Sequence, residues 1–504
     1  MFSNMPVKLI LKKEWGIVLL LLLLTPMFFL NMKDCHDWGG DFAQYIHQAI
    51  NISKGISPSQ TGYIFNDQYP FAPNCYPNGF PLMLVPVYIT AGNSILAFSY
   101  FMTTLLFLLG IVSFYFLRNS FGNLVAVIGV LILVYNPWTL RFKMEILSDI
   151  PFTLFLMLCI IFYTRIRLRS NSVLFPILLG LLIAWLIMIR SAGFIVPLAI
   201  LFDQALLAGR NRFTDGEWHL NWKLGVYSLC TTGIVYLVFT KLIFPIETDA
   251  FSFYASSVSF YEIKLTMLRN ADYYIQNFQR FFQPEVGIYS AIPLIIKSFA
   301  LSFFIVGFLF SCIKSFGFIE ILTCMYFLII FLFPNLTQGI RLLFPMIPVS
   351  LYYIILGLKS IKPESRIKPA VFAIALGLIS ILQYEPGIQK IIIEKNRLLL
   401  GPQEPEALEA FKTIAEITPT DAKIAFNKPR VLSLYAGRSS LANHYAQDIS
   451  SLTQKLAEED INYFLLCTDL PNPSLQKYLA ENHISVHLLW KNTKFELYSR
   501  DVQE

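Results

Sequence analysis

The sequence predicts a polytopic α-helical membrane protein of about eleven spans, followed by a small extracytoplasmic α/β domain. Three observations predict it. Of the 504 residues, 55% are hydrophobic and 14% charged, with a mean hydropathy of +0.57, whereas about 25% charged is usual for a soluble protein. The apolar residues gather in runs of about 20, the length that crosses a bilayer. After about Gln383 these runs stop and acidic residues become frequent. The 45 Phe and 25 Tyr suit lipid-facing and interfacial positions. The net charge of +6 does not point to nucleic acid. Lys and Arg sit in short clusters between apolar runs, where they act as topology signals.

The first run follows Lys8, Lys12 and Lys13 and closes with Met27-Phe28-Phe29-Leu30-Asn31. No small-residue cleavage site ends it, so it reads as a retained span rather than a signal peptide. The eleven spans fall near 14–31, 94–117, 121–139, 150–164, 173–189, 192–208, 222–244, 291–312, 317–334, 342–358 and 368–383. Segment 79–92 is apolar but interrupted by Gly79, Pro81 and Pro86. It reads as a re-entrant or interfacial piece, or as the bent start of the second span.

Loop charge sets the orientation. One side carries Lys8, Lys12, Lys13, Arg118, Arg165, Arg167, Arg169, Arg210, Arg212, Lys314, Lys359, Lys362, Arg366 and Lys368. Short loops on the other side carry Lys33, Arg141, Lys143, Arg190 and Arg341. This bias puts the N-terminus in the cytoplasm, and an odd number of spans then puts the C-terminal domain outside. Lys241 must lie at a membrane edge or snorkel. Two long loops, about 32–93 and about 246–290, face outside. The second contains Glu247, Asp249, Glu262, Asp272 and Glu285 among many Tyr and Phe. Inner loops are mostly short, so the chemistry belongs to the outer face.

The membrane part is taken as 1–383 and the small domain as 384–504. Within the latter, Glu404 to Ile417 and Leu452 to Glu459 read as helices. Ala422 to Phe426, Val431 to Tyr435 and Ile461 to Cys467 read as strands, and Ser485 to Trp490 with Phe495 to Tyr498 as a hairpin. The domain is expected to cover the site without supplying chemistry.

Just beyond the first span comes Asp37-Trp38-Gly39-Gly40-Asp41-Phe42-Ala43-Gln44-Tyr45-Ile46-His47-Gln48-Ala49. A helix from Asp41 puts Asp41, Tyr45 and Gln48 on one side and Phe42, Ile46, Ala49 and Ile50 on the other. Such a helix lies against apolar surface and presents one acid outward. Asp37 is either its cap or a participant. Further charges recur at the outer membrane edge: Arg141, Lys143, Glu145, Asp149, Arg190 and Arg341. Charges at that depth are costly unless paired or used. Cys35 and Cys75 share the first outer loop, where an oxidising compartment would allow a disulfide. A His36/Asp37/Asp41 metal site is conceivable but matches no specific metal motif. There is no Gly-rich phosphate loop, Ser-His-Asp pattern, HExxH or nucleotide fingerprint, which argues against ATP hydrolysis.

Five segments in order carry a resemblance to a known family. They are Asp41…Tyr45…Ala49; Tyr76-Pro77-Asn78-Gly79-Phe80-Pro81-Leu82; Met144-Glu145-Ile146-Leu147-Ser148-Asp149 before the fourth span; Arg190-Ser191-Ala192-Gly193; and Arg341-Leu342-Leu343-Phe344-Pro345-Met346-Ile347-Pro348. The chain resembles GT-C superfamily glycosyltransferases that use lipid-phosphate-linked sugars, of the protein mannosyltransferase and aminoarabinose transferase type. The resemblance spans roughly residues 10–385. Asn78 stands where the family has a second Pro, and Phe42 where many members have Glu, leaving Asp41 as the strict match.

The resemblance implies an inverting transfer from a polyprenyl-phosphate sugar to an acceptor lipid, glycan or protein. Asp41 would be general base. Arg190, Arg341 and Lys143 would bind the donor phosphate. Asp37, Glu145 and Asp149 would be supporting acids, and Tyr45, Gln48 and Tyr76 would position acceptor or sugar. No cofactor is implied beyond, at most, a weakly held divalent cation. The expected location is a bacterial inner membrane with the C-terminal domain periplasmic. A flippase for the same lipid, or a membrane scaffold, are the alternatives; the former predicts mid-membrane acids or a paired internal repeat.

Overall fold

The computed structural model describes residues 7–66, 73–167, 172–215, 222–245, 260–282, 291–333, 336–360, 369–394, 400–442 and 448–500. Glu247, Asp249 and Glu285 of the second outer loop lie outside the described residues, as do Arg169, Lys362, Arg366 and Lys368.

A helix stands at each of the eleven expected spans. The first is α1 (Val7–Leu24), extended by a 3-10 turn over Thr25–Phe28. The outer loop then forms α2 (Gly40–Ser53), and Gly79–Ala91 forms a separate helix, α3. Pro86 sits inside α3, and Gly92 ends it at φ 62°. The body continues with α4 (Ile95–Phe121), α5 (Asn123–Val134), the short α6 (Pro137–Phe142), α7 (Asp149–Ile166), α8 (Leu174–Ile189), α9 (Ile195–Asp215) and α10 (Trp222–Leu237). In the second outer loop lies the amphipathic α11 (Phe260–Phe281). Then come α12 (Ala291–Ser315), α13 (Phe318–Leu332), α14 (Ile347–Ser360), α15 (Pro369–Leu382) and α16 (Glu385–Ile393). Among the described residues six helices are long and apolar enough to cross a membrane, and several shorter apolar ones accompany them. The chain is a polytopic integral membrane protein.

Small residues let the spans touch. A Cβ at Gly307 would collide with the Tyr353 carbonyl and one at Gly357 with the Phe303 carbonyl, so α12 and α14 meet backbone to backbone. The buried acid of α9 is paired. Asp203, 1% exposed on α9, accepts from Tyr163 Oη at 2.7 Å and from Arg167 Nη1 at 3.3 Å. This closed network ties α7 to α9.

The C-terminal part contains α17 (Pro405–Ile417), β2 (Lys423–Ala425), α18 (Pro429–Ala436), β3 (Ser439–Leu441), α19 (Ile449–Glu458), β4 (Tyr463–Cys467), α20 (Pro473–Glu481), β5 (Val486–Lys491) and β6 (Phe495–Arg500). The hairpin is as the sequence suggests. Val431–Tyr435 is not a strand: Pro429 at the first helical position and a helical apolar period make it α18. The sheet has the order β1-β3-β2-β4-β6-β5, and its edge strand, β1 (Tyr63–Ile64), comes from the first outer loop and pairs parallel with β3. Trp38 packs edge-on against Phe411 and Phe426 and at a tilt to Phe495. The His36 N–H donates to Gln403 Oε1 at 2.8 Å, and a Cβ at Gly401 would strike the His36 carbonyl. The first outer loop and the C-terminal part therefore share one sheet and one core, so this part is fixed over the loop rather than hung beside it.

Candidate active site

α2 begins after Gly39, whose extended backbone serves as cap with no side-chain bond. Asp37 is therefore not the cap. Its Oδ1 accepts from the Gly39 N–H at 2.9 Å and faces His36 Nδ1 at 3.0 Å. Asp41, in the first turn of α2, lies where the helix N-terminus favours an anion.

Three distant arginines converge here. Arg341 follows Gly339, whose φ of 54° turns the chain ahead of α14. It donates from Nη1 to Asp41 Oδ2 at 2.9 Å and from Nη2 to Asp149 Oδ2 at 3.4 Å. Asp149 opens α7 and is fully buried. Arg190, in the extended break after α8, donates to Asp149 Oδ1. Arg430, on α18, donates from Nη1 to Asp41 Oδ1 at 3.1 Å and to the Tyr76 hydroxyl at 2.9 Å. Tyr76 donates in turn to Asp41 Oδ1 at 2.7 Å. The result is an alternating chain of Arg190, Asp149, Arg341, Asp41 and Arg430, three cations on two anions. Burial alone would raise the Asp41 pKa. The Arg341 and Arg430 charges and the Tyr76 hydrogen bond outweigh it and bring it to about 2.

Tyr45 and Gln48 do lie on the Asp41 side of α2, but both are buried rather than offered to a ligand. The Tyr45 and Ser148 hydroxyls are 3.0 Å apart, and the Tyr45 ring stacks on Tyr76. Gln48 Nε2 donates to the Tyr76 carbonyl and to Asn78 Oδ1, both at 2.9 Å, and its Oε1 accepts from the Tyr76 N–H at 3.0 Å. Asn78 thus helps Gln48 hold Tyr76 against Asp41. Gln48 Nε2 also lies 3.0 Å from Cys75 Sγ. Cys35 and Cys75 are both buried thiols, so the disulfide that the sequence allows is not formed; the Cys75 sulfur is turned into the Gln48 network instead.

Lys143 does not join the arginines. It is fully buried with Nζ 2.9 Å from Met32 Sδ and 3.3 Å from Thr103 Oγ1, and burial pulls its pKa down to about 7. Glu145 pairs with His36 rather than with an arginine, its Oε2 being 3.6 Å from Nε2. Burial raises the Glu145 pKa to about 7. For His36, burial lowers the pKa, but the bond to Asp37 and the charges of Glu145 and Asp37 carry it above its ordinary value. His36, Asp37 and Glu145 present donor atoms within 4.8 Å of one another, a set that fits a weakly held divalent cation. Glu145 replaces Asp41 in that cluster because the arginines claim Asp41.

Arg430 is the site residue that the sequence reading missed. Lys428-Pro429-Arg430 marks a helix start, but nothing in the chain signals that it returns to an acid 389 positions earlier.

Fold and site together define a polytopic helical membrane protein with a charged centre where three arginines meet Asp41 and Asp149. Solved structures share this fold. ArnT from Cupriavidus metallidurans bound to undecaprenyl phosphate matches with a TM-score of 0.56 and 14% identity over 97% of this chain and 99% of that one. The Archaeoglobus fulgidus oligosaccharyltransferase tethered with an acceptor peptide matches with a TM-score of 0.53 and 14% identity over 91% and 69%. The archaeal oligosaccharyltransferase AglB from Archaeoglobus fulgidus, in complex with an inhibitory peptide and a dolichol-phosphate, gives 0.53, 14%, 90% and 69%. These likenesses establish a shared fold. No family model matches the sequence, and no curated protein does either.

Proposed function

We propose that this protein is an inverting glycosyltransferase that moves a sugar from a polyprenyl-phosphate donor to an acceptor on the outer face of a bacterial inner membrane. The observation that carries the reading is Asp41, a carboxylate set among guanidiniums at the end of the helix bundle, in a fold shared with enzymes whose structures hold undecaprenyl phosphate and a dolichol-phosphate. The acceptor hydroxyl gives its proton to Asp41 as its oxygen bonds to the anomeric carbon. The bond from that carbon to the phosphate oxygen breaks, and the electron pair leaves with the polyprenyl phosphate. That leaving group is already anionic, so cations rather than an acid receive it, and Arg190 and Arg341 serve there. Asp149 holds both arginines in register. Tyr45 and Gln48 position Tyr76, and through it Asp41. A divalent cation on His36, Asp37 and Glu145 would add positive charge beside α2, and no step is assigned to it.

The test compares membrane lipids by mass spectrometry from cells lacking the gene, restored with the native chain, or restored with Asp41→Asn at matched expression. The expected result is one polyprenyl-phosphate sugar that accumulates without the gene and with D41N, and is cleared by the native chain. If D41N clears it as well as the native chain does, Asp41 is not the base. If no glycolipid changes in any strain, the transferase reading fails and a scaffold role returns.

A further inference from the structure

A general base must accept a proton, yet Asp41 as it stands is a poor one. Two guanidiniums and a phenol donate to its oxygens, and its pKa lies at about 2. In the proposed transfer, Asp41 has to lose those partners before the acceptor reacts. The two arginines are built to let it go without moving. Arg341 keeps its Nη2 on Asp149, itself fully buried, and offers only Nη1 to Asp41. Arg430 keeps its Nη2 on the Pro73 carbonyl at 2.5 Å. Its guanidinium carbon lies 4.8 Å from the centre of the Tyr63 ring and 4.9 Å from that of Tyr76. It too offers Nη1 to Asp41. Each guanidinium thus has one anchored arm and one exchangeable arm. Each also carries a buried Nε–H with no acceptor among the described residues. An unpaired buried donor on a cation is costly.

We infer that Arg430, from the C-terminal domain, completes with Arg341 the subsite for the donor's phosphate, and that Asp41 occupies this subsite as a stand-in anion until the donor arrives. The inference rests on the transferase reading above and adds a binding residue to it. Phosphate takes the Nη1 donors of both arginines in place of Asp41. Asp41, released from two cations, regains the proton affinity of an ordinary carboxylate only when a donor is bound. The base is then switched on by its substrate, and free sites do not activate water. Arg430 also gives the C-terminal domain a direct part in donor recognition. Because β1 and Trp38 join this domain to the first outer loop, Arg430 is held at a fixed height over Asp41.

Binding of undecaprenyl phosphate, with undecaprenol as the phosphate-free control, tests this on the purified full chain in lipid nanodiscs. The native chain should prefer the phosphate. D41N should bind undecaprenyl phosphate about tenfold more tightly than native, since a competing charge-assisted acceptor is gone. R430Q should bind it about tenfold more weakly, R430K should fall between, and D41N/R430Q should lose most of the D41N gain. A gain of affinity in D41N cannot come from misfolding, so the result does not depend on how well the Arg430 variants fold. If D41N binds no tighter than native and R430Q matches native, the shared subsite is refuted while phosphate recognition, and with it the transferase reading, stands. If undecaprenyl phosphate binds no better than undecaprenol to any variant, both fall.

Discussion

Replacing Asp149 by Asn probes the centre of the charge chain. Asp149 has no exposed surface and is shared by Arg190 and Arg341, whose side chains are 22% and 26% exposed. The amide keeps the shape but leaves two guanidiniums facing each other without an anion between them. Removing one partner of a buried ion pair costs about 3–5 kcal/mol. Water reaches both arginines here, so the lower end, about 3 kcal/mol, is expected. At about 2.1 cal/mol/K per residue, the 504 residues correspond to about 1 kcal/mol/K of unfolding entropy, so Tm should fall by about 3 °C. Helices that persist in the micelle reduce that entropy and enlarge the shift. The assay is thermal unfolding of purified protein in detergent, followed by tryptophan fluorescence. A double-mutant cycle with Arg190→Gln should show a coupling of about 1–3 kcal/mol, because the second substitution removes the stranded charge. A D149N shift below about 1 °C, or additivity within about 0.5 kcal/mol, would refute the claim that these charges form one interdependent chain.

Three more outcomes are expected. The Asp41 pKa is depressed from 3.8 to about 2, so its stabilisation is complete above about pH 4 and is lost as pH falls through about 2. Unfolding scans from pH 5 to 2 should show the native chain losing up to about 2 kcal/mol of stability that D41N never had. The Lys143 pKa falls from 10.5 to about 7 on folding, so this residue destabilises the fold increasingly as pH drops from 10.5 to 7. Lys143→Met should raise Tm at pH 7, by about 2 kcal/mol of stability, and flatten the rise of stability with pH across that window. Trp38→Ala should cost about 3–5 kcal/mol, because the indole fills the joint between the first outer loop and the C-terminal part. Limited proteolysis should then cut near residue 400 at protease levels that leave the native chain intact.

The corrections to the sequence reading share a cause. Gln48 and Tyr45 share the Asp41 face of α2, as their spacing requires. Whether that face meets water or the Tyr76 segment depends on where residues 73–78 return. Cys35 and Cys75 lie in one loop, but loop membership does not bring sulfurs together. Lys143 carries the same charge as Arg341, yet it is turned inward to Met32 and Thr103. Strand β1 is two residues long, too short to carry a period.

By itself the sequence pointed to the membrane class, the positions of the eleven helices, the acid at the head of α2, and Asp149, Arg190 and Arg341 as charges that belong together. These are one-dimensional properties. Hydrophobic run length reports the bilayer, helical period reports a face, and loop charge reports a side. Only the tertiary structure decided which charges pair, that Asp41 is held by Arg341 and Arg430, and that the C-terminal part shares its sheet with the first outer loop. Such pairings depend on distances of a few ångströms between residues up to 389 positions apart. No local pattern encodes them, because they arise from how packed helices and one mixed sheet bring distant segments together.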